Sequence, residues 1–309
     1  MLIDVLIPTY NRGADVLANL KELEAQIATN NLWEVVQIVI SDNCSPDDTA
    51  HLVQDYCAQK PTNLQVHYHR NKENIGLERN AVAVLEQASS PFVLFLGDDD
   101  FLAEGYLNYC YQSIQQYDDL GCIIPGILSI FQDGSSKDVR GSAPEAVKEA
   151  GFDALLAWSH WGHQMSGILC RREGLLSTYL EQPNYRNPYL FLYFTAYSLY
   201  KHRGIYNPQY KTRVNAFNEK DWGYNKVGLL DEVYKCYYYF QQQLSEEQIT
   251  AVLLRFTTLH SYRLSFSTKN FKKIYQQYQQ LITSTPSFQG FKPALRKMFL
   301  KDSLKALLK

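Results

Sequence analysis

The 309-residue sequence predicts an α/β fold, a mostly parallel sheet flanked by helices, with a mainly helical region at the C-terminal end. Three observations carry this. Strand-like and helix-like segments alternate through the first hundred residues. The strand-like runs are almost continuously apolar, as in strands covered on both faces. Each of them ends in polar or turn-forming residues, and in parallel sheets ligands sit outside the carboxyl ends of the strands.

IDVLIP (3–8) reads as the first strand, ended by a proline, and residues 14–30 place Val16, Leu17, Leu20, Leu23 and Ile27 at helical spacing. EVVQIVISD (34–42) is the second strand. SPDDTAHLVQDYCAQ (45–59) reads as a helix capped by Ser45, with Pro46 in its first position. LQVHYHR (64–70) alternates as a third strand, GLERNAVAVLEQA (76–88) is an amphipathic helix, and PFVLFLG (91–97) is the fourth strand. Further on, 106–117 reads as helix, CIIPGILSIF (122–131) as strand, 132–138 as a turn and 145–159 as helix. SGILCRREGL (166–175) reads as a strand turning into a helix, and NPYLFLYFTAYSLYKH (187–202) as a buried helix. From 206 the sequence suggests a loop rich in Asn and Tyr, then helices at 226–243, 245–261 and 269–283. The organisation expected is a first unit over 1–205, with halves at 1–105 and 106–205, and a helical region over 206–309.

Net charge is −2, which gives no footprint for a nucleic-acid partner. The charge is segregated, however: Lys292 to Lys309 holds six basic residues and one acid. Phe291, Leu295, Phe299, Leu304, Leu307 and Leu308 stand among these cations, so the tail 291–309 reads as a basic amphipathic helix suited to a membrane surface. The six cysteines form no C-x-x-C pair or dense framework, which points to reduced thiols and a cytoplasmic setting, with the tail at the inner face of the membrane. No basic-then-apolar leader and no run of about 18 apolar residues is present, so neither a signal peptide nor a spanning helix is expected.

The chemistry concentrates at FVLFLGDDDF (92–101), where a core strand ends in Asp98, Asp99 and Asp100. Like charges so close resist ionising unless a cation neutralises them. A few oxygen ligands suit Mg²⁺ or Mn²⁺, completed by water and phosphates.

PTYNR after the first strand, ISDNCSPDDT after the second, NKENIGLERN after the third and LGDDDF after the fourth together resemble the nucleotide-sugar-binding half of family 2 glycosyltransferases, which have the GT-A fold. The likeness is close over 1–105 and loose over 106–202. It implies transfer of a hexosyl-type sugar, with inversion, from a nucleoside diphosphate donor to a saccharide acceptor, lipid-linked in the setting of bacterial surface polysaccharide. By the same resemblance Pro8, Thr9, Tyr10 and Arg12 wall the donor pocket, Asp42 accepts from the base, and Asn74, Gly76 and Arg79 belong to a donor-binding turn. Gly97 stands where the family usually has the first acid. That leaves two alignments: Asp99 holds the metal together with Asp98, or Asp98 and Asp100 form the pair.

An inverting transfer needs a base to deprotonate the acceptor hydroxyl. The family's acid pair aligns near Asn187-Pro188, where no acid stands. The remaining candidates are His163, Glu181 and Asp100. Trp158 and Trp161 stand beside His160 in WSHWGHQ as candidates for stacking on a sugar or for core packing. Two rivals stay open: a nucleotide-sugar-binding module without turnover, and a sugar nucleotidyltransferase, which would call for a Gly-rich phosphate loop where this chain has PTYNRG.

Overall fold

Ile3–Thr9 (β1), Val36–Asp42 (β2) and Phe92–Phe95 (β4) are almost wholly buried, as continuously apolar strands require. The structure is a computed structural model that describes residues 1–141, 143–216, 229–260, 271–286, 288 and 290–307. Among these, nine strands form one sheet in the order β3-β2-β1-β4-β8-β5-β9-β7, with β6 paired to β5. The others are Val66–Arg70 (β3), Leu120–Ile130 (β5), Ser136–Arg140 (β6), Ala146–Lys148 (β7), Leu169–Arg171 (β8) and Arg203–Asn215 (β9). β1 to β4 run parallel, β5 is parallel to β9, and β8 is antiparallel to both β4 and β5.

Successive side chains of a strand face opposite ways, and the two cores follow that rule. Ile3, Val5 and Ile7 of β1 and Phe92 and Leu94 of β4 enter one cluster with Gly13–Thr29 (α1), Thr49–Gln59 (α2) and Tyr106–Gln116 (α4). Leu6, Val93 and Phe95 enter the other, built with Leu77–Glu86 (α3), Phe152–Trp158 (α5), Leu175–Leu180 (α6) and Leu190–Lys201 (α7). Phe95 is stacked on Phe194 at 5.7 Å and meets Phe191 edge-on at 5.0 Å, which fixes α7 against the strand that carries the aspartates.

Leu229–Tyr238 (α8), Glu246–Leu259 (α9), Phe271–Ser284 (α10) and Phe291–Leu307 (α11) form the helical end. α9 opens with a capping box between Ser245 and Gln248. Along α11, Phe291 is fully buried against Tyr234, Leu295 is buried, and Phe299 lies 4.0 Å from Tyr278. These three residues of the expected membrane stripe are therefore spent on packing inside the protein, while Arg296, Lys297 and Lys301 face outward. The side chains of Leu304, Leu307 and Leu308 lie outside the described residues. Among the described residues no helix is long and apolar enough to cross a membrane.

Three sequence expectations are corrected. α2 begins at Thr49, not Ser45. The predicted helix at 145–159 starts with strand β7, and the loop expected from 206 is the second part of β9, which crosses the 205/206 boundary. The turn at 132–138 ends in β6.

Candidate active site

The carboxyl ends of β1, β2, β3 and β4 lie side by side, so the segments following them line one crevice. At its floor is a network of asparagine and serine side chains. Asn80 of α3 is buried; its amide donates to the Ser41 carbonyl at 3.0 Å, and its oxygen accepts from Ser41 Oγ at 2.8 Å and Asn71 Nδ2 at 2.9 Å. Asn43 donates to Asn74 Oδ1 at 2.8 Å and accepts from Ile75 N at 2.9 Å. Asn74 also accepts from Gly76 N, so its carbonyl oxygen shapes the turn into α3. Gly76 has φ +83° with open space where a Cβ would stand; the backbone conformation, not crowding, calls for glycine. Arg79 is exposed on the first turn of α3.

Asp42 lies beneath this crevice and not at its surface, with none of its area exposed. Its Oδ1 accepts from Ser45 N at 2.9 Å and Ser45 Oγ at 2.6 Å; its Oδ2 accepts from Tyr68 Oη at 2.8 Å and lies 3.5 Å from Arg70 Nε. Ser45 Oγ in turn accepts from Asn11 N at 2.8 Å. This recruitment of Ser45 is why it does not cap α2. Asn11 adopts φ 58°, and the loop it turns carries Tyr10 outward, 44% exposed, beside the partly buried Pro8.

The three aspartates separate into two kinds. Asp98 accepts from Thr9 Oγ1 at 2.8 Å, and Asp99 accepts from Arg12 Nη1 at 3.4 Å, so both lie toward the end of β1 and the start of α1. Asp100 turns the other way: one oxygen accepts from Ser166 Oγ and the other from Asn215 N at 3.2 Å. Gly97 explains the departure from the family pattern, because a Cβ there would stand 2.6 Å from Asp100 Oδ2 and 3.1 Å from Ser166 Oγ. The geometry therefore groups Asp98 with Asp99 and gives Asp100 a structural place in the turn. Among the described residues no three His, Cys, Asp or Glu side chains converge as a preformed metal cluster.

Burial and the neighbouring Asp99 charge push the Asp98 carboxyl up to about 7, against the pull of Thr9 and Arg12. A raised folded value means that the ionised form is disfavoured. Asp98 then adds stability below about pH 4, and the contribution fades as pH rises through about 7. Asp98→Asn is expected to remove this slope, read as the difference between variant and parent unfolding free energies from pH 4 to 7 in chelator-treated buffer.

Asn19, which the sequence gave no reason to single out, holds the turn from α1: its Nδ2 donates to the carbonyls of Gly97 at 3.1 Å and Asp100 at 2.9 Å. Asn19→Ala leaves these carbonyls unpaired, at an expected cost of about 1–3 kcal/mol in denaturant unfolding, with weaker nucleotide binding.

On the acceptor side, Arg140 is 3% exposed and donates to the carbonyls of Pro125 at 2.8 Å, Trp161 at 3.0 Å and Gln164 at 3.4 Å. It thereby anchors the segment that presents Ser166 to Asp100; burial pushes its guanidinium down to about 10. The candidate bases lie elsewhere. Burial, then Arg255, pushes His160 down to about 3, which keeps it neutral. His163 Nδ1 lies 2.7 Å from the His160 carbonyl, and its ring meets His260 edge-on at 4.7 Å, on the side of α9. Trp158 and Trp161 stack on one another, and Trp161 packs on Tyr206 at 4.4 Å, so they serve the core and not a sugar face. Glu181 is exposed and lines a cleft between α6, α7 and α8 whose walls include none of the donor-side residues. Asn187, where an acid pair was expected, is buried and accepts from Tyr189 N. The acid that the fold brings beside it is Glu78 of α3, held by the Arg186 guanidinium at 2.9 and 3.1 Å and by Tyr179 Oη at 3.0 Å.

The family model described as glycosyl transferase family 2 matches residues 4–174, more than half of the chain. The chain belongs to that family. Among curated relatives, abequosyltransferase RfbV of Salmonella typhimurium is 34% identical over 108 residues, 35% of this chain and 31% of that protein. The GalNAc(5)-diNAcBac-PP-undecaprenol beta-1,3-glucosyltransferase of Campylobacter jejuni is 31% identical over 114 residues, 37% of this chain and 35% of that protein. These matches span about a third of each relative's length. The crystal structure of TarS residues 1–349 from Staphylococcus aureus in complex with UDP superposes with a TM-score of 0.68 at 16% identity, covering 99% of this chain and 89% of that one. Its fold is the GT-A fold of this chain.

Proposed function

We propose that this family 2 chain is a glycosyltransferase that moves a sugar from a nucleoside diphosphate sugar to a hydroxyl of a saccharide acceptor. The observation that carries the reading is the Asp98–Asp99 turn at the carboxyl end of β4, facing Thr9 and Arg12 at the end of β1. Support comes from relatives whose names describe sugar transfer, one of them with a PP-undecaprenol-linked substrate in its name, and from a TarS structure in complex with UDP-GlcNAc.

Asp98 and Asp99 fit a divalent cation, Mg²⁺ or Mn²⁺. They are adjacent carboxylates, one of which is driven toward its neutral form where no further positive charge compensates the pair. When bound, such an ion supplies Lewis-acid neutralisation of the diphosphate oxygens. The chain's own residues do the rest. Arg12, already 3.4 Å from Asp99, orients that carboxylate and adds positive charge at the phosphates. Arg79 and the amino end of α3 offer a second positive region. Asp42 acts from below by fixing Tyr68 and Arg70 at the base end of the crevice. The donor half is carried by 1–105 and the acceptor half by 106–205, with β9 extending the latter's sheet to Asn215. The outward cations of α11 suit an anionic membrane surface that carries the acceptor, by charge alone.

One observation favours the rival without turnover: no acid stands at 187–188. Incubation with UDP-, dTDP-, CDP- and GDP-sugars and Mn²⁺ separates the two. The transferase reading expects release of one nucleoside diphosphate, faster with an oligosaccharide acceptor. Binding of a nucleotide with no release from any donor would assign the chain to the binding class.

A further inference from the structure

Between α6, α7 and the end of α8 lies a cleft of about 290 Å³, at the small end of the range for ligand pockets. Its walls are mostly tyrosine. Tyr193 and Tyr239 lie 4.2 Å apart at its base, and Tyr197 and Tyr200 continue the row along α7. Tyr193 is buried and serves the core, but Tyr197, Tyr200 and Tyr239 each keep part of their surface open. The rings are held in place before any ligand arrives. Tyr239 Oη donates to the carbonyls of Tyr179 at 3.0 Å and Gln182 at 3.3 Å, and the hydroxyls of Thr178 and Tyr193 are 2.6 Å apart.

The rim is of a different chemistry. Gln182, Gln241 and Gln243 are exposed amides that both donate and accept, and Glu181 adds an acceptor. Flat rings with polar tips, ringed by side-chain amides, match a ligand that presents a face of C–H groups and an edge of hydroxyls. A lipid chain would find no aliphatic wall here, since Phe240 is the one lining residue that is wholly apolar. A phosphate would find a single lysine, Lys201, opposed by Glu181. We infer that this cleft is a saccharide subsite separate from the nucleotide crevice, taking a short, uncharged segment of an oligosaccharide. Tyr179 links the two regions: its ring stacks on Tyr239 at 5.6 Å, and its hydroxyl donates to Glu78 on the first turn of α3. Glu181, which is not placed as a base, here receives sugar hydroxyls. The inference stands on the cleft itself and does not require the donor reading.

The test is a titration of the full chain, with isotope-labelled tyrosine rings, by tetrasaccharides of glucose, galactose, mannose and N-acetylglucosamine, followed by NMR. UDP with Mn²⁺ is titrated in parallel. The expected result is that at least one tetrasaccharide moves the Tyr197, Tyr200 and Tyr239 signals, and that Gln182→Ala or Gln241→Ala, both exposed changes, weakens it by roughly threefold to tenfold. Tyr197→Ala is expected to abolish the binding while leaving the nucleotide response intact. The inference is overturned if no tetrasaccharide moves those signals, or if the shifts persist unchanged in all three variants. Loss of the UDP response alone would count against the donor crevice and leave the cleft result standing.

Discussion

Asp99→Asn is expected to lower sugar transfer by about 100-fold or more while leaving the unfolding midpoint close to that of the parent chain. The side chain keeps its size, and its recorded partner, Arg12 Nη1, lies at the long distance of 3.4 Å, so little packing is lost. What changes is the charge beside Asp98. With Asp99 neutral, one of the two carboxylates that raise each other's ionisation cost is gone, and a cation loses a ligand as well as attraction. Arg12 is left without its acidic partner at the crevice, where it can turn toward Asp15, 3.6 Å away. Initial rates at saturating donor and acceptor, set beside a denaturation curve, check both halves of the expectation. A variant with parent-like activity would remove Asp99 from the site.

The second large effect is expected from its neighbour and has the opposite signature. Asp100→Ala removes the acceptor of Ser166 Oγ and of Asn215 N, two charge-assisted hydrogen bonds in a buried setting. The expected cost is about 3–5 kcal/mol, since each such bond is worth about 1.5–3 kcal/mol. Ser166 comes from the segment held by Arg140, and Asn215 from the far end of β9. Asp100 therefore ties three distant stretches of chain to the turn that presents Asp98 and Asp99. Loss of stability first, with activity falling as a consequence, is the outcome that denaturant unfolding would read. If Asp100→Ala folded as stably as the parent and lost only activity, Asp100 would belong with the ligands and the structural assignment would be wrong.

These two residues also mark where the sequence was legible. The four strands of the first half could be placed because each is buried on both faces and so carries an unbroken apolar run. The donor-side residues could be placed because each directly follows one of those strands. Which aspartates pair was beyond sequence reasoning, because the decision is made by Ser166 and Asn215, 66 and 115 residues away. The one local signal was Gly97, whose missing side chain makes room for the Asp100 carboxylate.

Elsewhere the misses share a cause. Ser45 looked like a helix cap, but its hydroxyl is drawn to Asp42 and the helix starts at Thr49. Ala146–Lys148 carries no strand signal of its own and is extended because it pairs with β9. Tyr206–Asn215 looked like a loop because its Asn and Pro are turn formers, and pairing with β5 overrides that preference, with a register shift between Pro125 and Gly126. The stripe on the last helix had the right periodicity for an interface, but Phe291 and Leu295 find their partner within the chain. Periodicity specifies that a face is covered, not by what.

The central claim is that Asp98 and Asp99 make a cation-dependent diphosphate site at the crevice. Calorimetric titration of the chelator-treated protein with UDP, dTDP, CDP and GDP, each with and without Mn²⁺, tests it most directly. The account predicts that one nucleotide class binds with Mn²⁺ and loses most of its affinity without the ion, and that its Mn²⁺-dependent affinity weakens below about pH 7 as protons compete for Asp98. Failure of all four nucleotides under both conditions, or binding that is the same with and without the ion, would contradict it.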